Sequence, residues 1–323
     1  MKDLIIKVWP EIQGYLPAIL PWQNIKEKKQ SIFIDFTNCV SVDSSGLALL
    51  LIRCIKLIES DKKKRKWKSH DINMNDAFRK VIDLNFFNIL NEYNPSEMLF
   101  VDKEFKKYHN NVVVSVDEFG IETISIPIHC INFKKHLRRR DGLKDFREWI
   151  RDNLDRYATD YNINLNQIML ILNEIAKNTA DHTLGDGFIG LDIKTDRSKE
   201  IIKIEFAIGD LGVGINNNIK DTLPDNMIKR FAFWDLTQTY LFALKEYATT
   251  KTDSNFNKGI GMNIITSGAK NVGLELSVFD AKSRGLLNEI KKLSHKNVRE
   301  NFFNIGRPVG FYYFGKIKAN KVG

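Results

Sequence analysis

The sequence is poor in cysteine and has no long hydrophobic run. Its three cysteines, Cys39, Cys54 and Cys130, are odd in number and form no Cys-x-x-Cys pair. We therefore expect reduced thiols rather than a disulfide framework or a zinc site. The longest apolar run, Leu47 to Ile52, is far shorter than the ~20 residues that span a bilayer. No signal-peptide pattern occurs, so these absences favour a cytoplasmic protein without a membrane segment.

The overall composition is that of a globular protein with a basic balance. Of 323 residues, 43% are hydrophobic and 28% are charged, which predicts about two domains with their own cores. The net charge of +9 is concentrated at 62–68 and 138–140. No helix-turn-helix, zinc-finger or RRM pattern accompanies these basic runs. We expect a solvated turn and a linker there, and nucleic acid is an unlikely partner.

The first 95 residues predict a β-α-β-α order, which is typical of an α/β fold. Residues 31–36 are the best strand, and 47–58 form an apolar helix for which Ser44 or Ser45 is placed as N-cap. A last amphipathic helix is predicted from Asp76 to Leu90. The domain boundaries we expect are 1–95, a β-hairpin connector at 96–135, and 136–323.

The loop before the apolar helix reads Asp43-Ser-Ser-Gly-Leu47. In its setting between a strand and a helix, it resembles the serine loop of the STAS domain of anti-sigma-factor antagonists. That resemblance implies that the second serine, Ser45, is a phosphate acceptor. The residues are equally consistent with serines that cap the helix and a glycine that eases the turn. Both interpretations remain open.

A helix with two contrasting faces is predicted from Asn164 to Thr183. Asn164 stands at the N-cap position. An apolar stripe recurs at helical spacing and predicts the buried face; it comprises Leu165, Ile168, Met169, Leu172, Ile175, Ala176 and Thr179. Glu174, Asn178 and Asp181 fall together on the opposite, solvated face.

Two glycine boxes follow this helix, Asp210-Leu-Gly-Val-Gly214 and Lys258-Gly-Ile-Gly-Met262. Together with Glu174-x-x-x-Asn178, their order and separation resemble the GHKL ATP-binding domain of gyrase B, Hsp90, MutL, histidine kinases and anti-sigma-factor serine kinases. The resemblance covers roughly residues 136–323. It implies an α/β sandwich that binds ATP and Mg²⁺, with a lid at 215–258.

The resemblance also implies individual roles for the nucleotide-contacting residues. Asp210 would accept a hydrogen bond from the adenine amino group, and Gly212 and Gly214 would make room for the base. The second box would approach the phosphates through the backbone of Gly259, Gly261 and Met262. Lys258 stands next to this box, where it is either a cation that neutralises the γ-phosphate or an ordinary surface lysine of the lid.

The predicted helix supplies the remaining roles. Asn178 offers the hard oxygen that Mg²⁺ prefers, and Glu174 would be the catalytic residue that orients or deprotonates the attacking nucleophile. Asp181 stands where the gyrase and MutL branch carries its aspartate, whereas His182 stands where the kinase branches carry a histidine. The sequence therefore does not choose between these branches.

Two classes of function follow. The first is an enzyme of signalling, either a serine protein kinase, with Ser45 as acceptor in cis or in trans, or an ATPase that switches by lid closure. The second is a non-catalytic module whose ATP-bound state exposes a surface for a protein partner, and a nucleic-acid binder ranks third. The partner is expected to be the chain's own STAS-like part or a separate regulator. GHKL domains often pair when ATP is bound, so a homodimer and a monomer both stay open.

Overall fold

The structure is a computed structural model, which describes residues 4–14, 31–60, 66–70, 75–93, 111–131, 139–183, 186–211, 261–280, 285–287, 302–304 and 311–322. Over these ranges the chain is a mixed α/β protein, as the sequence predicted. Among the described helices, none combines the length and apolar character needed to cross a membrane.

The N-terminal part contains a small parallel sheet. Its strand order is β1-β3-β5, formed by Leu4–Lys7, Ser31–Asp35 and Lys66–His70. A second parallel pair joins β2 (Glu11–Ile12) to β4 (Ser41–Val42). Parallel neighbours need a crossover connection, and the helix α1 (Ser44–Ser60) lies between β3 and β5 in the chain. The β-α-β order predicted here is confirmed.

The last helix predicted in this part is split in two. Helix α2 (Asp76–Asp83) ends before Leu84, and α3 (Phe86–Tyr93) begins two residues later. Asn85 between them has a φ of 70°, a left-handed conformation that a helix does not accommodate. The apolar period continues across this break, which is why the sequence predicted one helix.

The rest of the strands form one antiparallel sheet of eight. Its order is β12-β11-β10-β13-β9-β8-β7-β6. In chain order the strands are β6 (Val113–Val116), β7 (Ile121–Ile131), β8 (Gly187–Asp196), β9 (Ile201–Asp210), β10 (Glu275–Asp280), β11 (Gly285–Leu287), β12 (Phe302–Asn304) and β13 (Phe311–Asn320). The predicted hairpin is confirmed as β6 and β7, and it is the edge of this sheet.

Helices bury both faces of the large sheet. Side chains alternate along β9, so that Ile204, Phe206 and Ile208 pack with α4 (Arg139–Asp160), α5 (Leu165–Thr183) and α6 (Gly261–Asn271). Ala207 points to the other face and packs with α1. Residues Leu47 to Ile52 of α1 are fully buried because the helix has the sheet on one side and α3 on another.

Candidate functional site

Helix α5 is built as its sequence predicted. The side-chain oxygen of Asn164 accepts the backbone N–H of Gln167 at 3.1 Å, which confirms the N-cap. The predicted apolar stripe is buried from Ile168 to Thr179, with Leu165 partly exposed at the start of the helix. The turn that bears the predicted site residues is therefore fixed against the sheet.

The two predicted polar residues in the middle of α5 are only partly solvated. The side chain of Glu174 is 12% exposed, and its carboxylate forms an ion pair with Lys177 at 3.5 Å. Asn178 is half-buried. Asp181 lies in the last turn, where the structure describes the backbone alone. The solvated face predicted for Glu174 is thus largely shielded.

Asp210 lies at the same end of the sheet as this last turn. It ends β9, where it pairs with Gly187 on one side and Phe311 on the other, and it is 6% exposed. The alternation along β9 places its side chain on the face covered by α5. A methyl group of Thr179 lies 2.6 Å from the position that a Cβ on Gly187 would take. The C-terminal end of α5 therefore lies against the strand beside Asp210.

The start of α6 faces the same place. Helices α5 and α6 lead into β8 and β10 on one face of the sheet, and these two strands run in opposite directions. The two helices are consequently antiparallel. This agrees with Gly268, late in α6, lying against Gln167 and Ile171 early in α5. The first residue of α6, Gly261, is thus at the end of the sheet that carries Asp210.

Several predicted site residues lie outside the described ranges. These are the remaining glycines of both boxes, the adjacent lysine and the whole predicted lid: Gly212, Gly214, Lys258, Gly259 and 215–258. Met262 is in the first turn of α6, where only the backbone is described. Their contribution to the site stays a prediction.

Lys56 on α1 is a residue near this end that sequence reasoning missed. Its ammonium lies 3.9 Å from the Glu59 carboxylate. Burial lowers the pKa of Lys56, and the negative charges of Glu59 and Asp210 partly oppose that shift. In the sequence it is one of two cations, with Arg53, within the apolar stretch of α1. Its position in the sequence does not predict which strand Lys56 would lie near.

Asp186, just before β8, is a second residue that was missed. The hydroxyl of Tyr93 donates a hydrogen bond to its Oδ2, while Oδ1 is buried with no hydrogen-bond partner among the described residues. Burial and this bond to a carboxylate both raise the pKa of Tyr93. The Tyr93 ring also packs edge-on against Phe188 at 6.0 Å, so α3 is fixed to the start of β8.

The loop that resembles the STAS serine loop is buried against the opposite face of the sheet. Helix α1 begins at Ser44, and Asp43 is its cap, because Asp43 Oδ1 accepts the backbone N–H of Gly46 at 2.7 Å. The prediction that a serine caps this helix was wrong. Ser45 is fully buried, and its hydroxyl donates to Asp43 at 3.0 Å. Phosphoryl transfer to Ser45 would therefore require the loop to leave the sheet.

Asp192 of β8 binds the N-terminus of α1. Its two carboxylate oxygens accept the backbone N–H groups of Ser44 and Ser45, each at 2.8 Å, and one oxygen also accepts the hydroxyl of Ser125 at 2.6 Å. A carboxylate at a helix N-terminus is stabilised by the N–H groups that lack a partner within the helix. The helix thus approaches the sheet through a tertiary cap supplied by a residue 148 positions away in sequence.

Charged residues surround this cap on the same face of the sheet. Lys194 Nζ lies 2.5 Å from Glu205 Oε2 and 3.9 Å from Asp43 Oδ2. Burial raises the pKa of Asp43 to about 7, with repulsion from Asp192 adding to the shift. Burial also raises the pKa of Asp192. Burial alone would lower the pKa of Lys194, but Glu205 and Asp43 reverse the direction, so that its pKa is raised.

The described residues contain no group of three or more His, Cys, Asp and Glu side chains that could hold a metal ion. At the Asp210 end, Asn178 offers an amide oxygen, a ligand type that Mg²⁺ accepts. No protein-family model and no curated protein matches this chain. The functional interpretation therefore depends on its own residues and their geometry.

Proposed function

We propose that the Asp210 end of the eight-stranded sheet binds ATP with Mg²⁺ and that the protein is a GHKL-like ATP-binding regulator. One observation carries this proposal. Asn178, Asp210 and Gly261 belong to three motifs separated by up to 83 positions, yet they lie at one end and on one face of the sheet. Three residues without a shared function would not be expected to lie together in this way.

The chemistry of these residues suits the proposed ligand. Asp210 supplies a buried acceptor for an amino group of the base, and its 6% exposure would make that hydrogen bond selective. The start of α6 supplies backbone N–H groups and a partial positive charge for phosphate oxygens. The amide of Asn178 supplies an oxygen for Mg²⁺, whose role would be to neutralise phosphate charge.

The environment of Glu174 suits a residue that orients a nucleophile. Its low exposure and its ion pair with Lys177 hold the carboxylate in one place. The buried position of Ser45 favours ATP hydrolysis or an ATP-gated switch over phosphorylation of Ser45 within the same folded chain. A protein kinase acting on Ser45 would need the loop to be released first.

ATP binding is tested by titration calorimetry with Mg-ATP on the wild type and Asp210→Asn. We expect the variant to bind about 10-fold more weakly, because the Asn oxygen can still accept but lacks the charge that raises a hydrogen bond from about 0.5–1.5 to about 1.5–3 kcal/mol. Asp196→Asn is the matched control, since Asp196 ends β8 at the opposite end of the sheet. Equal weakening by both substitutions, or a wild type that does not bind ATP, would contradict the proposal.

The reaction is tested with γ-labelled ATP on the wild type, Glu174→Ala and Ser45→Ala. Free phosphate released by the wild type and Ser45→Ala, but not by Glu174→Ala, would identify an ATPase. Label retained on the protein and lost in both variants would identify a serine kinase. ATP binding without either product would leave two alternatives, a non-catalytic module or a kinase whose protein substrate is absent from the assay.

A further inference from the structure

Four ionisable side chains lie together where α1 begins on the large sheet, and all but the 25% exposed Lys194 are largely buried. Three are carboxylates, Asp43, Asp192 and Glu205, and one is an ammonium, Lys194. The side chains of Asp43 and Glu205 are 4% and 11% exposed, and Asp192 has no exposed surface. The buried cluster therefore holds more potential negative than positive charge. This cluster plays no part in the ATP site proposed above.

The cations near the cluster are directed mainly to Glu205. Lys194 is 2.5 Å from this carboxylate, and Lys316 of β13 approaches its other oxygen at 3.5 Å from a partly exposed position. Cross-strand register explains this, because Asp192, Glu205 and Lys316 occupy the same level of three adjacent strands. Asp43 is farther from Lys194, at 3.9 Å.

Asp43 and Asp192 instead share the N-terminus of one helix. The described hydrogen bonds to Asp192 come from uncharged donors, namely the N–H groups of Ser44 and Ser45 and the hydroxyl of Ser125. Asp43 accepts from Gly46 and, with both oxygens, from the N–H of Gly14 at 3.1 Å. The hydroxyl of Ser45 donates to Asp43 while its backbone N–H donates to Asp192.

Asp43 and Asp192 are both buried and both accept a hydrogen bond from Ser45, so the two carboxylates repel each other when both are ionised. The helix start and Lys194 offset part of that repulsion. A single proton shared by the pair would remove the rest, and it would leave an acceptor for every donor just described. We propose that the Asp43–Asp192 pair takes up a proton when α1 docks on the sheet, so that this docking weakens as pH rises through neutrality.

The direction of the pH dependence follows from the ionisation of the pair. Burial, with repulsion between the two residues, raises the pKa of Asp43 to about 7, and burial raises that of Asp192. Carboxylates in the unfolded chain titrate near pH ~4. The stabilisation is therefore complete below about pH 4 and is lost as pH rises through about 7. The facing charges that set this window are Lys194 and Glu205, with Lys316 beyond them.

The test is urea unfolding of the full chain from about pH 5 to about pH 8, comparing the wild type with Asp192→Asn. We expect the wild-type unfolding constant to increase by up to tenfold per pH unit relative to that of the variant, which corresponds to one proton released on unfolding. Asp152→Asn removes an exposed carboxylate on α4 and should keep the wild-type slope. Any histidine contribution is common to all three proteins and cancels in the comparison. Parallel slopes for the wild type and Asp192→Asn would overturn the proposal.

A second measurement needs no variant, in case Asp192→Asn does not fold. Amide hydrogen exchange of the wild type is followed in α1 over the same pH range, after correction for intrinsic exchange, with α5 as an internal reference. We expect protection in α1 to fall relative to α5 by up to tenfold per pH unit. Protection in α1 that does not change with pH would refute proton-linked docking.

Discussion

Gly190 of β8 lies directly beneath the start of α1, and substituting it tests how tightly the helix is docked. A Cβ at this position would lie 2.0 Å from the carbonyl oxygen of Ser44 and 2.8 Å from Cα of Ser45. These are backbone atoms, so they cannot rotate away as the end of a side chain can. Gly190→Ala must therefore push the helix from the sheet.

The expected cost follows from the contacts that this shift breaks. Overpacking in a buried site costs about 1–3 kcal/mol. The shift also lengthens the two hydrogen bonds from Ser44 and Ser45 to Asp192, and bonds to a charged group are worth about 1.5–3 kcal/mol each. Replacing glycine with alanine in a strand stabilises the folded state by at most about 1 kcal/mol, because alanine loses less backbone entropy on folding. We expect a loss of at least about 3 kcal/mol, a large part of a typical stability of about 5–15 kcal/mol.

The assay is equilibrium urea unfolding of Gly190→Ala and of Gly120→Ala. Gly120 has a φ of 77° in the turn between β6 and β7, with no atom within 4 Å of an added Cβ. Its replacement should cost about 1–2 kcal/mol from backbone strain alone. If Gly190→Ala were no less stable than Gly120→Ala, the close docking of α1 on β8 would be refuted.

Three further perturbations test separate parts of the structure. Tyr93→Phe removes the described hydrogen bond to Asp186 and leaves that carboxylate buried, so chemical denaturation should show a loss of about 1–3 kcal/mol. Asn164→Ala removes the cap of α5 and should lower stability by about 1 kcal/mol in the same assay, whereas Asn164→Asp should retain it. Burial lowers the pKa of His129 to about 4 from 6.5, so its stabilisation is present above pH 6.5 and is lost as pH falls through 4. Between these pH values the free energy of unfolding should fall by about 3 kcal/mol less in His129→Phe than in the wild type. An equal fall in both proteins would contradict this.

The sequence predicted well wherever a local pattern carries the information. The cap at Asn164, the buried stripe of α5 and the hairpin of β6 and β7 depend on neighbours within a few positions, and all three are confirmed. The helix break at Asn85 was missed because the apolar period continues through it. The ATP site stays a prediction from motifs, supported by the convergence of Asp210 and Gly261 at one end of the sheet.

Only the tertiary structure decided what α1 does. Its apolar run from Leu47 to Ile52 predicted burial, but not that β8 and β9 would cover it, because hydrophobicity does not specify a partner. The role of Asp192 was likewise beyond local reasoning, since an isolated aspartate in a strand carries no sign of a helix start 148 positions earlier. Alternation along a strand determines which residues share a face. Long-range packing decides what covers that face. Here the packing of α1 on the sheet buries the serine loop together with Asp43 and Asp192.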